Sequence, residues 1–135
     1  MRPWLRYMGL RRRIQPREAT IMPQDHEKIA YFRLNQQGAY SAIACIGFRQ
    51  GNEFTLVEPK ARNMMDHNIY DIMPADSIPN GAAIKLYFGT SDNHMHEAQE
   101  TYTLDRACGY VAEYGSWGTA ALEEWHLNNR YIPGA

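Results

Sequence analysis

Cysteine is scarce in this chain. Its two residues, Cys45 and Cys108, exclude a disulfide-rich scaffold and a four-cysteine zinc site, and permit at most one bridge. Long apolar runs are missing: none approaches the ~18 residues that a membrane-crossing helix needs. There is no glycine-rich phosphate loop, because Gly38, Gly47 and Gly51 are scattered turn glycines. None of Ser41, Ser77, Ser91 and Ser116 sits in a Gly-x-Ser-x-Gly elbow, so no nucleophilic triad is readable. Charge of one sign is also lacking, with a net charge of only −1. These absences remove several enzyme classes and the membrane-spanning helix.

What is present is a chain of 135 residues, 44% hydrophobic and 12% aromatic, enough for one globular domain with a core of its own. The small net charge hides an asymmetry: residues 1–20 sum to +5 through six Arg and one Glu, and the remainder sums to −6. The body has no basic stripe, so nucleic-acid binding is not expected. Arg11-Arg12-Arg13 follows the short apolar stretch and no apolar run comes after it, so no secretory signal peptide is recognised. A flexible basic segment over 1–24 that packs little on the body is expected, followed by one domain over 25–135.

The apolar period is two in most segments, which reads as strand. Strands are expected over Lys28–Leu34, Ala39–Phe48, Phe54–Val57, Ile69–Met73, Ala82–Phe88, Glu100–Leu104 and Tyr110–Tyr114. Thr119–Leu127 fits a strand or a single helix, and residues 58–68 read as polar and irregular. The run from Ala39 to Phe48 is apolar on both faces, as a central strand would be, so Ile46 and Phe48 are expected to be buried. Turn signals such as Pro79-Asn80-Gly81 separate the runs. The sum is an all-β fold: a single antiparallel, immunoglobulin-like β-sandwich of about seven or eight short strands.

Three motifs lie in order along these strands. Asn35-Gln36-Gln37-Gly38-Ala39-Tyr40-Ser41-Ala42 resembles the Gly-Ala-Tyr-Val-Ala opening of a strand in the C-terminal β-sandwich domain of cholesterol-dependent, thiol-activated cytolysins. Ile78-Pro79-Asn80-Gly81-Ala82-Ala83-Ile84 is similar to that domain's Ile-Pro … Asn-Ile segment, and Trp117-Gly118-Thr119-Ala120-Ala121-Leu122 to its Trp-Gly-Thr-Thr-Leu segment. The resemblance covers roughly residues 28–125 and implies the sandwich fold, a toxin-like or defence-related class, and contact through loops at one end. In this chain those loops are Gly89–Ala98 and Trp117–Ala121, giving His94, Met95, His96, Trp117 and Thr119 as binding candidates. The departures are as informative. The stretch where the family carries its Trp-rich loop has neither Trp nor Cys here, and Ala120-Ala121 stand where its Thr-Leu pair for sterol belongs. The resemblance therefore implies neither sterol recognition nor lysis by this chain alone.

The densest polar constellation is Asp92, His94, His96, Glu97 and Glu100. His94, His96 and Glu100 share one parity, and so one face of a strand. Two imidazoles and a carboxylate suit one divalent metal, and His-x-His-x-x-x-Glu is the spacing of the first metal motif of cupins, with His126 as the further ligand. The alternatives are therefore three. The leading one is a non-enzymatic binding module without a cofactor, recognising a membrane surface, a glycan or a protein. The second is a small metal-dependent cupin-like enzyme using His94, His96, Glu100 and His126. The third is a structural or assembly subunit. Oligomeric state is not encoded in any of these features. Cys45 and Cys108 fall within expected strands, where free thiols act as small buried hydrophobes.

Overall fold

The structure, a computed structural model, describes residues 26–134, so the basic segment expected over 1–24 lies outside the described residues. Eleven strands are formed: β1 Lys28–Ile29, β2 Tyr31–Gln36, β3 Ala42–Gln50, β4 Glu53–Leu56, β5 Ala61–Met64, β6 Asn68–Ile72, β7 Ala83–Gly89, β8 Met95–Glu97, β9 Tyr102–Leu104, β10 Val111–Gly118 and β11 Glu123–Tyr131. Among the described residues there is no helix, and none therefore long and apolar enough to cross a membrane.

The strands form two sheets. One runs β1-β9-β7-β3-β4, with β5 completing the β3 edge beside β4 and β8 completing the β7 edge beside β9. The other runs β11-β10-β2-β6. The all-β, sandwich-like architecture is as expected, but it has more strands and is not wholly antiparallel. β1 pairs with β9 and β2 with β10 in parallel. Both exceptions have one cause. The run Lys28–Leu34, which reads as one strand, divides at Ala30, whose N–H donates to Tyr110 O at 2.7 Å. Before the break the chain belongs to the first sheet, and after it to the second.

Side chains from both sheets fill the space between them. Phe32 and Leu34 from β2, Ala42, Ala44 and Ile46 from β3, Ile84, Leu86 and Phe88 from β7, and Ala112 and Tyr114 from β10 are all buried. The central place of β3 holds, because β7 lies on one side of it and β4 and β5 on the other. Its C-terminal end emerges from the core, so Ile46 is buried but Phe48 is only half-buried, which corrects the expectation for Phe48. On the outer face of the second sheet Arg33 ties three strands together. It donates to Asp71 Oδ1 (2.7 Å) and to the Tyr131 hydroxyl (3.1 Å), and that hydroxyl donates to Glu113 Oε1 (2.6 Å).

Both cysteines are free thiols. Cys45 is buried in β3 as expected, whereas Cys108 is half-buried in the loop before β10, which corrects its expected place within a strand. Burial pushes the Cys45 thiol up to about 11, which leaves only ~0.1% of it as thiolate at pH 8. Titration with a thiol reagent at pH 8 is expected to modify one cysteine in the native protein and two in denaturant. Two fast-reacting thiols in the native state would contradict this placement of β3.

Candidate functional site

Strand direction gathers four loops at one end of the sandwich: 37–41, 65–67, 90–94 and 119–122. A single buried amide fastens three of them. Gln36, wholly buried, donates through Nε2 to Tyr40 O (2.7 Å) and Met64 O (3.1 Å). Its Oε1 accepts from Gly38 N (2.7 Å) and from the Ser116 hydroxyl (2.9 Å). Both donors and both lone pairs of the amide are therefore used. The Tyr40 hydroxyl, whose pKa burial raises, donates to Trp117 O at 3.0 Å. Ala39 N adds a bond to Gly118 O at 2.8 Å. The first and third sequence motifs are thus brought side by side, although 77 residues separate Tyr40 from Trp117.

The outermost element is the hairpin turn 119–122 between β10 and β11. Gly118 opens it at φ 92°, in the left-handed region, and a Cβ there would meet Leu122 O at 2.2 Å, so glycine is required on both counts. Leu122 N donates back to Thr119 O at 3.0 Å. The tip carries no charge, and Ala120, Ala121 and Leu122 are exposed, Leu122 to 76%. Met65, 52% exposed, follows β5 at the same end. Charge rings this apolar tip: Arg62 pairs with Asp92 at 3.0 Å, and the exposed Glu124 lies at the start of β11.

The five binding candidates lie at or beside this end. His94 is exposed in the loop 90–94, Met95 and His96 open β8, Trp117 is half-buried near the end of β10, and Thr119 begins the tip. The four cupin-type candidates do not form one ligand set. His96, Glu100 and His126 line one cleft between the sheets. The His126 ring, however, is stacked on Trp117, centroids 4.7 Å apart. That stack lies on the outer face of the second sheet, since His126 pairs with Gly115 while the alternate residues Tyr114 and Ser116 point into the core. His94 belongs to the loop. Among the described residues no three His, Cys, Asp or Glu side chains are placed to hold a metal ion.

The cleft has a volume of about 280 Å³ and opens where the edges β8 and β11 of the two sheets part. Its floor is Tyr114 and Trp125. Trp125 packs on Phe88 (5.0 Å) and on Tyr114 (5.9 Å). The buried Tyr114 hydroxyl donates to Glu100 Oε1 at 2.8 Å, and burial pushes its pKa well above the usual phenol range. At the tip end His96 Nε2 stands 4.0 Å from Glu123 Oε1, a buried carboxylate oxygen without a hydrogen-bond partner. Two features were not foreseen from the sequence, the Gln36 amide and the cleft. The amide left one trace, a polar residue at the inward parity of the Phe32–Leu34 strand. The cleft left none, because it depends on which strands become edges.

No protein-family model matches the chain, and no curated protein matches it. Among solved structures it is similar to the membrane-binding domain of pneumolysin, with 16% identity over 74% of this chain and 96% of that one, at a TM-score of 0.38. It is also similar to listeriolysin O, with 13% identity, 73% and 22% coverage and a TM-score of 0.40. The cytotoxin suilysin from Streptococcus suis gives 14% identity, 74% and 23% coverage and a TM-score of 0.39. These are cytolysins, the family that the three sequence motifs resemble. The chain spans less than a quarter of the length of the whole toxins. No activity or ligand is transferred from them.

Proposed function

We propose that this chain is a membrane-surface-binding module of toxin-like type, whose contact surface is the hairpin tip 119–122 with the loops around it. One observation carries the reading: an exposed, uncharged Ala120-Ala121-Leu122 tip held on a rigid, fully hydrogen-bonded base. Solvent-exposed apolar side chains grouped at a loop end favour an apolar partner or an interface. The charges around the tip set the depth. The exposed Asp92 and Glu124 would each lose hydration in hydrocarbon at a cost of several kcal/mol, so the tip rests at headgroup level rather than inserting deeply.

Co-sedimentation with vesicles, with and without sterol and with and without anionic lipid, tests this. Burial of the Leu122 side chain is worth ~1.5–3 kcal/mol, so Leu122→Asp should lower vesicle affinity by about tenfold to a hundredfold. Sterol should make little difference, since Ala120-Ala121 replace the family's sterol pair. Binding that depends strictly on sterol, or that Leu122→Asp leaves unchanged, would overturn the reading. Absence of binding to every vesicle would leave a glycan or a protein as the partner of this end.

A further inference from the structure

Beyond the tip, we infer that the inter-sheet cleft is a binding site for a small primary ammonium group. The inference does not depend on the membrane reading: its residues run along the sandwich flank, from Glu123 at the start of β11 to Glu100. Three observations converge. First, the floor is aromatic: Tyr114 and Trp125 both line the cleft, and an indole face beside a carboxylate is a favourable seat for a cation. Second, the acceptors are unspent. Glu100 uses Oε1 for the Tyr114 hydroxyl and leaves Oε2 without a hydrogen bond from any described residue. Glu123 is not itself in the cleft wall but lies just behind it, 4.0 Å from His96 of the wall: it shares the inward parity of Trp125 and Leu127, its side chain is 13% exposed, and its Oε1 is buried with no hydrogen-bond partner. Third, the one basic group beside them among the described residues is His96, at 4.0 Å from Glu123 Oε1. Among the described residues neither Glu100 nor Glu123 forms an ion pair with a Lys or Arg; the nearby Glu97 is already paired with Lys85 at 2.6 Å.

A buried carboxylate oxygen without a donor is costly, and a ligand that supplies N–H donors relieves that cost. The donor requirement selects a primary ammonium over a quaternary one, which has positive charge but no N–H. The volume, about 280 Å³, admits a group of a few heavy atoms and not a sugar chain. The same chemistry is offered by a soluble amine and by an ethanolamine lipid headgroup.

The test is titration of the full chain with ethanolamine, choline and ethylene glycol, followed by amide chemical shifts. Ethanolamine should give saturable shifts around residues 96–100 and 125–127. Choline, which has a hydroxyl but no N–H donors, should bind about tenfold more weakly, and the neutral glycol should not saturate. Glu100→Gln and, separately, Glu123→Gln should each weaken ethanolamine by about tenfold, with melting temperature read alongside to show that each variant is folded. Displacement of ethanolamine by phosphatidylethanolamine vesicles, but not by phosphatidylcholine vesicles, assigns the headgroup as source. Ethanolamine binding without displacement assigns a soluble amine. A saturating response to glycol equal to that of ethanolamine, unchanged affinity in both Gln variants, or no saturable response would overturn the assignment. Loss of the ethanolamine response with vesicle binding intact would remove the cleft and spare the tip; the converse result would do the opposite.

Discussion

Phe32→Ala is expected to destabilise the domain by ~3–5 kcal/mol, against a total of ~5–15 kcal/mol for a protein of this kind. The side chain is fully buried on β2, the strand between β10 and β6 in the second sheet. Its ring meets Tyr102 of the opposite sheet edge-on at 5.8 Å and Tyr114 of its own sheet at 6.0 Å. Removing it opens a cavity where the two sheets meet, and flanking tyrosines committed to other contacts cannot collapse into it. Phe48→Ala is the control. That ring is half-buried at the emerging end of β3, so the loss should be nearer ~1–2 kcal/mol. Chemical denaturation of both variants measures the contrast, and equal losses would mean that the inter-sheet core is misplaced.

Gln36→Leu should be as damaging, for the opposite reason. The substitution puts an apolar residue of similar size in a buried place, yet it strips four groups of their partner: Tyr40 O, Met64 O, Gly38 N and the Ser116 hydroxyl. Each buried group left unsatisfied costs ~1–3 kcal/mol, so a loss of about 4 kcal/mol or more follows. For a domain of this length that is a fall of about 12–20 °C in melting temperature. Ser116→Ala separates the network from the single bond. There Gln36 Oε1 keeps Gly38 N, and the cost should be about 1 kcal/mol. A hydrophobic Gln36 variant as stable as the wild type would show that the loop end is held by packing alone.

Most of the strands were legible because burial on one face imposes a period of two, as in Ile84-Lys85-Leu86-Tyr87-Phe88. What escaped had no such pattern. β5, Ala61–Met64, buries only Met64 fully and bends at Asn63, which has φ 58°. β8 is three residues, none of them fully buried, and is defined by backbone pairing with β7. The split at Ala30 is visible in hindsight as a broken parity. Ile29 and Phe32 both face the core, but they are three apart, so they cannot share one face of one strand. The same break produced the two parallel pairings that a reading by hairpins does not anticipate. β11 runs on to Tyr131, past the expected Leu127. Its far end is secured by contacts distant in sequence: Arg130 donates to Lys28 O (3.0 Å) and lies over the Tyr110 ring at 3.7 Å.

The candidate site was legible as a place rather than as a mechanism. The loops around His94 and Thr119 do lie at one end, and the contact of His96 with Glu123 links their strands. Parity along one segment says nothing about where a distant strand presents its side chain, and among the described residues His94, His96, Glu100 and His126 are not brought to metal-holding distance. His126 lies at the rim of the cleft, but its register with Gly115 gives its ring the parity of Trp117, on which it stacks.

The central claim is that the hairpin tip, and not the opposite end, meets the membrane surface. Cys108 lies in the loop before β10, at the far end of that strand from the tip, and the buried Cys45 does not compete for label. An environment-sensitive dye can therefore be placed on native Cys108, or on Ala121→Cys in a Cys108→Ser background. With vesicles added, the dye at position 121 should give a blue-shifted, brighter emission, and the dye at Cys108 should not change. A shift at Cys108 with none at 121, in protein that co-sediments with the vesicles, would contradict the claim.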